Sequence, residues 1–103
     1  MKAVVITTDN EINEVEIDGS IESIKTAANI GHIELVVFSS NVHGYIDEDG
    51  KRKGLPINHY ATTLWHNCDG NLADVLVGNI IILSDDGMGD EASLTDETIA
   101  NIK

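Results

Sequence analysis

IELVVF, residues 33–38, is rich in β-branched side chains and shows no clean polar alternation, the pattern of a strand buried on both faces at the centre of a sheet. Immediately upstream, Ser20 can cap a helix in which Ile21, Ile24 and Ala28 fall at i, i+3 and i+7. That single apolar stripe has to pack on the sheet, and Asn29 and Gly31 end the helix. Further out, KAVVIT (2–7) and EVEI (14–17) read as strands joined through an Asp9-Asn10 turn. They form a hairpin with Val15 and Ile17 on one face and Glu14 and Glu16 on the other.

The same reading extends downstream. Val42–Asp47 reads as a strand that turns at Asp49-Gly50, a pair suited to the positive φ angles of a tight turn. Pro56 and Asn58 introduce a helix over residues 59–66, with Asn58 as N-cap, Ala61, Leu64 and Trp65 on the buried face, and Cys68 to Gly70 as its end. LVGNIIIL (76–83) reads as a strand bent at Gly78-Asn79. After an acidic linker, SDDGMGDEAS (84–93), Thr95 caps a last helix, and Leu94 and Ile99 have the spacing of a hydrophobic staple. The expected fold is α+β, a mixed, mainly antiparallel sheet covered by two or three short helices. Its expected core includes Ile21, Ile24, Leu35, Val37, Ala61, Leu64 and Ile81.

A chain of 103 residues makes one domain, residues 1–103, and its 42% hydrophobic content argues for a folded core over an acidic disordered tail. Met1–Thr8 lacks the longer apolar core of a signal peptide, no apolar run is long enough to span a bilayer, and Cys68 is the lone cysteine. The expected compartment is the cytoplasm. Eighteen carboxylates against six Lys and Arg give a formal charge of −12, which repels duplex nucleic acid and anionic membrane at long range. The sequence leaves a homo-oligomer open.

Catalytic and metal motifs are weak throughout. His66-x-Cys68 with His59 upstream falls short of the three or four converging ligands that zinc needs. Asp47, Asp49 and Gly50 resemble part of a calcium loop, but Lys51 and Lys53 stand where oxygen ligands would continue. Cys68 beside His66 lies in a short polar loop with no obvious orienting carboxylate or oxyanion-hole glycine pattern, and GKRKG (50–54) is not a phosphate-binding Walker loop. The expectation is a protein that is not an enzyme and uses neither a cofactor nor a metal.

Several segments together carry a resemblance: KAVVI, VEIDGS, IELVVF, DEDGKRKGLPINHYAT, DVLVGNIIIL and LTDE, with Gly54-Leu55-Pro56-x-Asn58-x-x-Ala61-Thr62 the most specific. The chain resembles an uncharacterised family of small domains found in phages, plasmids and conjugative elements. The resemblance implies a mobile-element setting in which small non-enzymatic proteins counter host defence, acting in the host cytoplasm when phage-encoded.

The one positive cluster, Lys51, Arg52 and Lys53, precedes Gly54 and a helix N-terminus, an arrangement suited to an anion. The expected site therefore places Lys51, Arg52 or Lys53 against a phosphate, with Asn58, Tyr60 or Thr62 reading a base or ribose and Tyr45 or Trp65 stacking on it. The corresponding function is sequestration of a small anionic, nucleotide-like signal. The alternative is an acidic DNA mimic that binds a host nuclease, restriction or CRISPR protein, with Asp85, Asp86, Asp90 and Glu91 as its first candidate surface. Glu14 and Glu16 are the second.

Overall fold

A computed structural model describes residues 1–69 and 74–103. Its elements in chain order are β1 (Lys2–Ile6), β2 (Ile12–Glu16), α1 (Ile21–Ala28), β3 (Ile33–Val37), β4 (Val42–Asp47), α2 (His59–Asp69), β5 (Ile80–Asp85), β6 (Glu91–Ala92) and α3 (Asp96–Ile102). The sheet runs β2-β1-β5-β4-β3, with β6 paired to the end of β5, and every pairing is antiparallel. The α+β architecture is therefore that expected from the sequence. β5 enters the sheet between two hairpins, β1-β2 and β3-β4.

Helices cover both faces. On one face Val4, Ile6, Val36, Phe38, Ile46, Ile80 and Ile82 pack with Ala61 and Trp65 of α2 and Ile99 and Ile102 of α3. On the other, Ala3, Val5, Ile81 and Leu83 pack with Ile24 and Ala28 of α1. β1 and β5 are thus apolar on both sides because both sides are covered, which explains the unbroken runs AVVI and IIIL.

IELVVF is not central. Among the described residues β3 lies at the edge, paired to β4 alone, and Leu35 and Val37 are 56% and 52% exposed. The eight residues of α1 pack on β1 and β5 and leave this end of the sheet open, so half of the apolar run faces outward while Val36 and Phe38 enter the core. Ile21 is also exposed and Leu64 half-buried, whereas Ile24, Ala61 and Ile81 are buried as expected.

The caps are where the sequence places them. Ser20 Oγ accepts from Ser23 N–H, Asn29 closes α1 in the left-handed region at φ 56°, and Thr95 Oγ1 accepts from Thr98 N–H. α2 continues past residue 66 to Asp69, so Cys68 does not break it, and Gly70 lies outside the described residues. The acidic linker contains β6, a short strand that polar composition conceals.

Candidate functional site

The Gly54–Thr62 motif builds the frame. Gly54 has φ +72°, a left-handed turn open to glycine, and Leu55 lies so close to Gly78 that a Cβ there would stand 2.9 Å from its Cδ1. Asn58 is fully buried: its Nδ2 donates to the carbonyls of Ile6 and Gly78, both at 3.0 Å, and its Oδ1 accepts from Ala61 N–H at 3.1 Å. Thr62, four residues on, accepts from Leu76 N–H at 2.9 Å, and His66, four further, bonds through Nε2 to the carbonyl of Asp74 at 2.7 Å. Asn58 at the cap of α2, with Thr62 and His66 on the helix, thus forms a row that holds residues 74–78 beside it.

Trp65 stands next to that row, 8% exposed, and its Nε1 has no hydrogen-bond partner among the described residues. Its indole borders a cavity of about 300 Å3 that runs along β3. Glu34 to Val37 form one wall, Ile46 to Glu48 a second, and Trp65 with residues 74–77 the rest; Lys51 closes the mouth. The volume is at the lower end of ligand-sized cavities.

The electrostatics of this cavity are acidic. Glu34, Asp47, Glu48 and Asp74 line it against Lys51 as the lone lining cation. Lys51 Nζ pairs with Asp74, and Lys53 Nζ pairs with Asp47 at 2.8 Å. The Lys51 ammonium, helped by Val75 N–H, holds the Asp74 carboxyl below the usual carboxylate range. Lys53, with N–H groups of Asp49 and Gly31, does the same for the buried Asp47. Glu34 and Glu48 are exposed and have no ion pair among the described residues.

The eight residues read from the sequence as ligand-binding do not converge. Lys51 and Trp65 share the cavity. Arg52 points to Asp49 at 3.0 Å, and Lys53 is held by Asp47, so each cation of the turn already has a carboxylate of its own chain. Asn58 and Thr62 are internal braces, and the Tyr60 hydroxyl donates to the carbonyl of Ile102, tying α2 to the end of α3. Tyr45 lies on the opposite face of the sheet from Trp65. Its hydroxyl donates to Glu91 at 2.7 Å, and burial together with that carboxylate pushes the phenol well above its ordinary range.

Sequence reasoning missed Glu34, Glu48 and Asp74. They are 40 residues apart at the extremes, and nothing in their local pattern marks them as neighbours until β3, β4 and α2 meet. Among the acidic candidates, Glu91 is engaged by Tyr45 and His43. Asp85 and Asp86 accept N–H groups of their own loop, at Gly87 for Asp85 and at Met88 and Asp90 for Asp86. Among the described residues no group of three His, Cys, Asp or Glu side chains is arranged to hold a metal ion. No described helix is long and apolar enough to cross a membrane.

No curated protein and no solved structure matches the chain. A family profile does match, over residues 1–103: the frame and cavity described above belong to a chain of the family "domain of unknown function" DUF3846.

Proposed function

We propose that this protein is a non-enzymatic binding module whose acidic cavity takes a cationic group, the side chain of a lysine or arginine, from a partner protein. The observation that carries the reading is four carboxylates and one indole around about 300 Å3, with Lys51 at the mouth paired to Asp74. An indole face with carboxylates beside it attracts a guanidinium or ammonium through the ring quadrupole and through charge-assisted hydrogen bonds. Lys51 is then a resident stand-in for the partner's cation. In the mobile-element setting that the sequence resemblance implies, the partner is a basic host defence protein and the module is a counter-defence inhibitor.

Sequestration of a nucleotide-like ligand makes the opposite demand on the same cavity. A phosphate would approach Glu34 and Glu48 and would have to draw Lys51 away from Asp74. Trp65 is the chain's one tryptophan, so its fluorescence and indole N–H resonance report on this cavity. Titration with N-acetyl-argininamide should shift both saturably, weaken as salt rises, and be lost in Asp74→Asn, which keeps the oxygen that accepts from Val75. A response to a panel of linear and cyclic nucleotides, with none to the arginine derivative, would reverse the reading in favour of sequestration.

A further inference from the structure

We infer that the partner of this cavity binds as an extended segment that adds a strand to the open edge of β3, with basic and apolar side chains alternating along it. The charge of that segment rests on the cavity reading above; its geometry rests on the backbone of β3.

Phe38 N–H donates to the Val42 carbonyl and Glu48 N–H to the His32 carbonyl, each at 3.0 Å or less. With the register Glu34↔Ile46 and Val36↔Gly44, these bonds place residues 32, 34, 36 and 38 in the hydrogen-bonded pairs of the hairpin. The N–H and C=O groups of Ile33, Leu35 and Val37 therefore point away from β4, along the edge that has no neighbouring strand among the described residues. An exposed edge of this kind is a template for one more strand.

The two edges of the sheet are unlike. The outer strand β2 carries Glu14 and Glu16, and Lys103 reaches back to Glu14 at 3.2 Å, devices that discourage pairing. β3 instead presents Leu35 and Val37, both more than half exposed, on the face that α1 leaves uncovered. Glu34 lies on its other face, beside the acidic cavity. A strand laid along β3 alternates its side chains between these faces, apolar ones against Leu35 and Val37 and basic ones towards Glu34 and the cavity. On the open face, Leu35 and Val37 also border a groove of about 400 Å3 that reaches Asp85 and Glu91. A second copy of the chain would set −12 against −12, so charge complementarity selects a basic partner.

Selection of short random peptides displayed against the intact protein tests this, followed by amide hydrogen exchange of the complex. Enriched peptides should alternate basic and apolar residues, and binding should slow exchange at Leu35 and Val37. Leu35→Pro removes an N–H that faces the partner and no β3–β4 hydrogen bond, so it should weaken the peptides roughly tenfold or more. Leu35→Lys keeps the whole backbone and should also weaken basic peptides, which covers the case in which the proline variant does not fold. The response of Trp65 to N-acetyl-argininamide, measured on the native protein, tests the cation pocket separately. Loss of that response in the native protein, with edge protection by peptides retained, would defeat the cation pocket and leave strand addition standing. The inference is overturned if no peptide is enriched, or if enriched peptides bind both Leu35 variants as well as the native chain. It is also overturned if Leu35 and Val37 become protected with rising protein concentration alone, which would assign the edge to a second copy.

Discussion

The amide of Asn58 is fully buried, with both side-chain donors and its oxygen engaged by Ile6, Gly78 and Ala61. Replacing it with alanine leaves two buried carbonyls without their donor and α2 without its cap. Asn58→Ala should therefore cost about 2–4 kcal/mol of stability in urea unfolding, before any effect on a ligand is considered. The Asp47–Lys53 pair gives a second residue-scale expectation. The folded pKa of Asp47 lies below its unfolded value, so the unfolded chain binds more protons at acid pH. The pair's contribution is then present above pH about 4 and is lost as pH falls through the folded value. Lys53→Met should flatten that part of the stability profile on the acid side of pH about 5, measured by urea midpoints. A profile identical to that of the native protein would show that Lys53 does not hold the Asp47 charge. Asn58 as a cap was legible from its place after Pro56. Its reach to Ile6, 52 residues away, was not, because side-chain bonds across the sheet have no local signal.

Elements with strong local chemistry were legible: both N-terminal strands and the Ser20 and Thr95 caps follow from residue order alone, whereas the turn after β4 takes its positive φ at Gly54 and not at the expected Asp49-Gly50 pair. The order of strands was not. IELVVF and IIIL look alike as apolar runs, yet β5 lies between two neighbours and two helical layers while β3 has one of each. In hindsight Glu34 marks the difference, since β1 from Ala3 to Ile6 and β5 from Ile80 to Leu83 carry no charge. The contrast is measurable. Ile81→Ala, at a fully buried position between β1 and β4, should cost about 2–4 kcal/mol, whereas Leu35→Ala should cost less than about 1 kcal/mol. Equal losses at the two positions would mean that the β3 edge is covered in solution. The candidate site was half legible at this scale. Lys51 and Trp65 are in it, but the carboxylates that set its sign come from β3, β4 and the segment after α2.

For the molecule as a whole, the formal charge of −12 is organised by the fold as well as carried by it. The basic turn that stands out in the sequence is neutralised by Asp47, Asp49 and Asp74, which leaves Glu34 and Glu48 to set the sign of the cavity mouth. The cation-pocket and nucleotide readings therefore diverge at one atom, Lys51 Nζ. If Lys51 is a stand-in for a partner's cation, removing it frees Asp74; if it is a phosphate contact, removing it weakens the complex. The direct measurement is the dissociation constant of N-acetyl-argininamide for the native protein and for Lys51→Met, read from Trp65 at low salt. An exposed ion pair of about 0.2–1 kcal/mol corresponds to tighter binding by the variant, by roughly 1.4- to 5-fold. Weaker binding by Lys51→Met, or affinity for nucleotides that disappears with Lys51, would contradict the cation pocket.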